Sequence, residues 1–156
     1  TNELYRCKNV TEASDLILEL AIKAIPAEAG AVFIADINSQ ELGFSSARGP
    51  KAEEVLEFKV PMGRGIVGFC AQEGVALAVS DAHRDPRFYR EISEKTGYAV
   101  ESIMCSPAQD AGRVLGALEL VNKKGGSSFT EEEINVLNFL AHEFSQYLVN
   151  TGQTGA

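Results

Sequence analysis

Apolar residues recur at helical spacing near the start of the chain. Ala13, Leu16, Ile17, Leu20, Ala21, Ala24 and Ile25 form one stripe over residues 11–25, and Pro26 ends it because proline lacks the N–H that a continuing helix needs. Gly30 then opens AVFIADI, a nearly continuous apolar run that reads as a buried strand, and Asn38-Ser39 turns the chain into a second strand over 41–48. Gly49-Pro50 breaks that strand. A further strand is expected over residues 55–60, since Pro61 pushes Val60 toward extended backbone. Gly63-Arg64-Gly65 leads into a short helix that stops at Gly74. Residues 75–79 predict another short strand, and Ser80-Asp81 with Asp85-Pro86 supplies cap and turn chemistry for a helix over about 87–95 that ends at Gly97. Residues 102–108 form the next strand, with Asp110-Ala111-Gly112 as a hairpin turn.

Residues 113–121 are apolar on both faces. Strict alternation puts Val114, Gly116, Leu118 and Leu120 on one side and Leu115, Ala117, Glu119 and Val121 on the other, which predicts the central strand of a covered sheet. The charge in its interior is Glu119. An unpaired buried carboxylate is costly, so Glu119 either pairs with an arginine or backbone amide, or lines a pocket on the face opposite Leu118 and Leu120. Residues 122–126 (NKKGG) read as a polar, glycine-rich turn, and Thr130 with Glu133 reads as a capping box for a helix from about 131. Phe129 and Ile134 have the spacing of a hydrophobic staple. The closing helix repeats Ile134, Leu137, Ala141, Phe144 and Leu148, with Val136, Leu140 and Tyr147 widening the stripe beyond what one sheet face requires. The pattern predicts an α+β fold: a six-stranded antiparallel sheet, two terminal helices on one face, and short helices with loops closing a cavity on the other.

Composition narrows the function. The length of 156 residues and 45% hydrophobic content suit one domain over residues 1–150, followed by a polar tail at 151–156. A net charge of -8 and a pI near 4.8 argue against binding nucleic acid or anionic membrane. No apolar run is long enough to span a bilayer and no signal-peptide pattern opens the chain, so a cytoplasmic location is expected. The start at Thr1 and the TGQTGA ending fit a fragment of a longer polypeptide. Cys7, Cys70 and Cys105 are widely spaced, which disfavours a disulfide framework or zinc knuckle, and Cys70 and Cys105 read as buried small hydrophobes. His83 and His142 have no second ligand near them in sequence. No Ser-His-Asp order, paired catalytic carboxylates or phosphate loop is evident.

GALELVNK followed by Phe129 and an acidic residue at 133 resembles the NK…F…DE motif of GAF domains, especially those that regulate cyclic-nucleotide phosphodiesterases and some bacterial adenylyl cyclases. The resemblance extends upstream through PMGRGIVGFCAQEG and SDAHRDPRFYREISEKTGY, from Pro61 to Tyr98. It departs from the family at Glu133, where the family has Asp, and at Ile134, where it has Glu. The resemblance implies that Asn122, Lys123, Phe129 and Glu133 form a structural motif, with a Lys123–Glu133 salt bridge supporting the fold from outside the pocket. It also implies ligand contacts from the Ile66 and Val67 amides, at the helix N-terminus that faces the cyclic phosphate, and from Tyr89, Thr96 and Glu119. Ser93, Val100 and Ala31 depart from polar readers in the nucleotide-binding members, and Ser46-Ala47 stands in place of a Phe-Asp pair that reads the purine. The phosphate side is therefore better kept than the base side.

These readings converge on a non-catalytic regulatory domain of a cytoplasmic signalling protein. Its ligand is expected to be a cyclic nucleotide or another anionic small molecule, and no other cofactor is implied. A homodimer through the terminal helices and a covalently linked output domain are the expected partners. Two alternatives stay open: a dimerisation module whose pocket is filled by Phe69, Tyr89 and Tyr98, and an enzyme using Cys70 or Cys105 for redox chemistry, which would need a thiol reactive near neutral pH.

Overall fold

Asn9 sets the first helix. Its side chain accepts from the Glu12 backbone N–H at 2.9 Å, while Glu12 reaches back to the Lys8 N–H at 3.0 Å, so α1 runs Val10–Ala24. The computed structural model describes residues 3–126 and 128–152. The remaining helices are α2 (Ala52–Val55), α3 (Gly65–Glu73), α4 (Arg90–Thr96) and α5 (Glu131–Asn150); the strands are β1 (Ala27–Asp36), β2 (Glu41–Arg48), β3 (Lys59–Pro61), β4 (Leu77–Val79), β5 (Ile103–Asp110) and β6 (Arg113–Lys123). Single 3-10 turns occupy Leu4–Arg6 and Ala82–Arg84. Thr151 caps α5; of the tail expected at 151–156, residues 153–156 lie outside the described residues.

Among the described residues six strands form one antiparallel sheet in the order β3-β2-β1-β6-β5-β4. The α+β architecture is the one the patterning predicts, and β6 is central. One core lies between the sheet and the terminal helices, built from Ile17, Leu18 and Ala21 of α1, Leu137, Ala141, Phe144 and Tyr147 of α5, and Val32, Met104, Leu118 and Leu120 of the sheet. A second core covers the opposite face, where Ala31, Phe33, Ala117 and Val121 meet Ile66, Val67 and Cys70 of α3. No helix among the described residues is long and apolar enough to cross a membrane.

The joint between β6 and α5 is built as one unit. Thr130 accepts from the Glu133 N–H at 3.1 Å and its own N–H donates to Glu133 Oε1 at 2.8 Å, a complete capping box. The same Glu133 Oε1 lies 2.8 Å from Lys123 Nζ. Burial alone would raise the Glu133 pKa, but hydrogen bonds from Lys123 and Thr130, with the Lys123 charge, hold it below its ordinary value. Glutamate rather than aspartate is explained by this double duty. Phe129 is buried in the α5 core with Ile134 packed against the same cluster.

Several expectations need correction. The strand expected over 55–60 is replaced by the single-turn helix α2 and the three-residue strand β3, because Glu53, Glu54 and Glu57 favour solvent over a sheet face and Lys59 is where pairing with Gly43 begins. The helix expected from about 87 starts at Arg90, since Asp85 ties the Arg87 backbone into a turn at 2.8 Å. The turn expected at 122–126 begins later, because Asn122 and Lys123 still belong to β6. Strict alternation also fails on β6: Gln109 pairs with Val114 and Ala108 with Gly116, leaving Leu115 as an extra, bulged residue. Leu115 therefore joins the terminal-helix core and Val114 the opposite one, the reverse of the alternation reading.

Candidate functional site

Glu119 stands on β6 between Ala31 of β1 and Cys105 of β5, its directly opposed residues in the antiparallel register. Opposed residues project to the same face. Two small side chains flanking a longer one leave a hollow in the sheet surface, and α3 and α4 roof it. The resulting cavity has a volume of about 120 Å³. Its floor is Ala29, Ala31, Glu119 and Val121; Phe33, Phe44, Val55 and Val60 close one end, Ile66 and Val67 another, and Phe88, Tyr89, Ile92, Thr96 and Tyr98 form the lid side. Arg48 and Lys51 stand at its rim.

Glu119 is half-buried, and the surface it keeps faces this hollow because the strand is central in the sheet. Its carboxyl group has no hydrogen-bond or ion-pair partner among the described residues, and burial pushes its pKa up to about 7. The structure thus brings Glu119 to the pocket rather than to an arginine or an amide. The other polar groups of the wall are engaged. Thr96 Oγ1 donates to Ile92 O at 2.8 Å, Ser93 Oγ donates to Tyr98 O at 2.7 Å, the Tyr98 hydroxyl donates to Glu28 at 2.8 Å, and the Tyr89 hydroxyl donates to Glu91. Burial, with the Glu28 contact second, pushes the Tyr98 phenol up to about 12.

α3 meets the hollow with its N-terminus. Gly65 adopts φ +73°, conformational space that suits glycine, no side chain caps the first turn, and Gly65, Ile66 and Val67 line the cavity. A Cβ at Gly65 would sit 2.7 Å from Tyr89 Cβ, so this glycine is what allows lid and helix to touch. The lid is held from the other side by Arg87, which donates to Asp85 Oδ1 at 2.9 Å and Oδ2 at 2.7 Å and lies 4.9 Å over the Phe69 ring. Phe69 therefore does not fill the pocket. Tyr89 and Tyr98 line it.

Sequence reasoning missed Phe44. Val32 pairs with Ser46 and Phe33 with Phe44, so Ser45 is an extra residue on β2. Ser45 and Ser46 turn toward α1, where they bond Ser14 and Asp15, while Phe44 faces the cavity with its ring centroid 4.4 Å from that of Phe33. An aromatic wall is present two residues before Ser46-Ala47, where the resemblance leaves none. The signal was the pair Leu42 and Phe44 at spacing two. The residues expected to form a structural motif, Asn122, Lys123, Phe129 and Glu133, lie outside the cavity lining. Asn122 is buried and ties β6 to the segment before β5: its Oδ1 accepts from the N–H groups of Glu101 (2.6 Å) and Ser102 (3.2 Å), and its Nδ2 donates to Ala99 O at 2.8 Å.

Cys70 and Cys105 are both buried and unlinked. A hydrogen-bonding contact with Cys70, together with burial, pushes the Cys105 thiol well above the ordinary thiol range, so little thiolate exists at neutral pH. His83 Nδ1 lies 3.2 Å from an Arg90 guanidinium nitrogen, and His142 is exposed on α5. Among the described residues, no group of three or more His, Cys, Asp or Glu side chains gathers as metal ligands do.

The family model described as GAF domain matches residues 9–148. Among curated proteins, the dual 3',5'-cyclic-AMP and -GMP phosphodiesterase 11A of Takifugu rubripes is 40% identical over 83 residues, 52% of this chain and 9% of that protein. The probable 3',5'-cyclic phosphodiesterase pde-5 of Caenorhabditis elegans is 28% identical over 134 residues, 80% of this chain and 18% of that protein. The chain thus spans less than a fifth of the length of these relatives. Among solved structures, the GAF domain of a phosphoenolpyruvate-protein phosphotransferase from Coxiella burnetii superposes with a TM-score of 0.86 at 21% identity, covering 99% of this chain and 90% of that one. The free methionine-R-sulfoxide reductase of Neisseria meningitidis, solved with its substrate, superposes at 0.80 and 19% identity, covering 97% and 85%. At these identities the likeness shows the fold alone.

Proposed function

The chain belongs to the GAF-domain family, and from that premise we propose that it is the non-catalytic regulatory domain of a larger signalling protein, binding a small molecule between sheet and lid. The observation that carries this reading is the unpartnered Glu119 carboxyl group at the floor of a roofed hollow. A carboxyl group without a partner in such a place destabilises the fold, and a ligand that meets it offsets that cost. The contacts expected of a ligand are Glu119, the amides of Ile66 and Val67, and the side chains of Tyr89 and Thr96. Raised thiol pKa and full burial at Cys105 support a non-catalytic role over redox catalysis.

Binding would act through β6. Leu118 and Leu120 flank Glu119 in sequence but project into the core shared with α1 and α5. Any adjustment of the strand that lets Glu119 meet a ligand therefore moves side chains packed against both terminal helices. The mechanism is a population shift: ligand favours the closed lid, and the closed lid favours one packing of α1 and α5. Those helices would carry the state to an output domain and to a second copy of the chain. Exposure of Val136 (38%) and Phe139 (58%) on α5 supports a homodimer contact there.

Calorimetry with cyclic AMP, cyclic GMP and a panel of small metabolites tests the sensor reading, with sedimentation equilibrium in parallel. Saturable binding that Glu119→Gln weakens is expected. Absence of any binding at millimolar ligand, with an unchanged dimer, would transfer the function to dimerisation alone.

A further inference from the structure

Size and unspent hydrogen-bonding capacity narrow what the hollow can hold. An apolar cavity of about 150 Å³ accommodates one benzene-sized molecule, and drug-sized ligands occupy sites of roughly 300–1,000 Å³. The hollow here, at about 120 Å³, belongs with the former. A molecule with a base, a sugar and a phosphate exceeds that volume and would have to part Phe88 and Tyr89 from α3, where Arg87 also lies 4.9 Å over the Phe69 ring.

The chemistry points the same way. The walls are aromatic and aliphatic, chiefly Phe33, Phe44, Ile66, Phe88 and Ile92. Every wall hydroxyl already donates to a partner within the chain. The two rim cations are turned outward: Arg48 reaches the Asp15 carbonyl at 3.5 Å, and Lys51 lies 3.6 Å from Glu54. The side-chain group left with free valence is the Glu119 carboxyl, which accepts when ionised. Once ionised it would set a like charge against an anion in a poorly solvated space, whereas its oxygens offer an N–H donor an acceptor in either protonation state.

We propose that the ligand of this hollow is a compact, monocyclic molecule, neutral or cationic, that presents an N–H donor to the Glu119 carboxyl group. The aromatic amine or cyclic amidine edge fits this description: one flat ring for the apolar walls, and one or two adjacent N–H groups for the two carboxyl oxygens. The inference rests on reading the hollow as a ligand site. It differs from that reading by excluding nucleotides from the lid-closed state.

The experiment titrates the wild-type chain with 2-aminopyridine, with toluene as an isosteric probe lacking donors, and with cyclic AMP and cyclic GMP, followed by backbone amide NMR. Expected is 2-aminopyridine binding with a Kd on the order of 0.1–1 mM, with shifts centred on Ala31, Cys105 and Glu119. Toluene should bind at least fivefold more weakly, and Glu119→Gln should weaken 2-aminopyridine about tenfold. Cyclic nucleotide binding at these residues without 2-aminopyridine binding would overturn the ligand class and leave the sensor reading standing. Equal binding of toluene and 2-aminopyridine would remove the donor requirement alone. Failure of every probe would sink both. The comparison of probes needs only wild-type protein, so it decides the matter even if the variant folds poorly.

Discussion

Replacing Asn122 with alanine should cost this fold about 3–5 kcal/mol, and the figure can be assembled from its parts. The residue is 6% exposed and holds φ +59°, a left-handed conformation that asparagine adopts more readily than alanine, which accounts for about 1–2 kcal/mol. Its Oδ1 serves two backbone donors. The Ser102 N–H, at 3.2 Å, is buried and would be orphaned, at about 1–3 kcal/mol; the Glu101 N–H, at 2.6 Å, lies nearer solvent and recovers part of its loss from water. Losing the Nδ2 bond to Ala99 O at 2.8 Å adds a smaller share. Two further variants separate the contributions. Asn122→Gly relieves the backbone strain but leaves both N–H groups unserved, so it should stay destabilised by about 2–3 kcal/mol. Asn122→Asp keeps the acceptor, but it places a carboxylate where Nδ2 stands 3.2 Å from Glu28 Oε1, so its deficit should shrink as the pH falls and the new side chain takes up a proton. Urea unfolding followed by far-UV circular dichroism measures all three. A loss below about 1 kcal/mol for alanine, or a glycine variant as stable as wild type, would refute the reasoning.

Glu119 should make stability fall as pH rises. Its folded pKa of about 7 exceeds the ordinary 4.5, so the folded chain holds a proton that the unfolded chain has released. The associated stability is complete below 4.5 and lost as pH climbs through 7, about 3 kcal/mol in all. Glu119→Gln should match wild type near the acid end and exceed it by about that amount above pH 8; a difference constant with pH would refute burial as the cause. Gly116→Ala should destabilise by roughly 3 kcal/mol, because a Cβ there would lie 2.2 Å from the Phe33 carbonyl oxygen, on a backbone that cannot yield without parting β1 from β6; an unchanged melting temperature would contradict this. A double-mutant cycle on Lys123 and Glu133, whose side chains are 15% and 18% exposed at 2.8 Å separation, should give a coupling of about 1 kcal/mol. Since the Glu133 pKa is lowered, that coupling should be intact above about 4.5 and fade as pH falls through the folded value.

Local signals carried most of the fold. The capping box at Thr130 and Glu133, the left-handed glycines 74 and 97, the hairpin at 111–112 and the stripes of both terminal helices depend on neighbours a few residues away. The side of the sheet that Glu119 faces was also readable, because Leu118 and Leu120 must go the other way. What stayed hidden depends on long-range pairing. The bulges at Ser45 and Leu115 exist only relative to a partner strand, so no alternation count along one strand finds them. Asn122 looks like a turn residue until the segment around residues 99–102 is brought against it. α2 is a single turn without a side-chain cap, and its sequence, AEEV, carries little signal of its own.

The two bulges also explain why a hollow exists where Glu119 is. A regular β6 would put Leu115 on the lid side with Ala117, Glu119 and Val121; the extra residue sends it instead into the layer of α1 and α5, where it is fully buried. The extra Ser45 likewise gives α1 two hydroxyl partners and frees Phe44 to stand as a wall. Large side chains are thereby concentrated where the terminal helices need packing. The lid face of the central strands is left with Ala31, Ala117 and Cys105 around one carboxyl group. A close-packed interior resists small shifts on one side of a strand without a response on the other. Because the same backbone carries Glu119 toward the lid and Leu118 and Leu120 into the helix core, a ligand in the hollow, on the reading proposed above, would be felt in the packing of α1 and α5 through one strand.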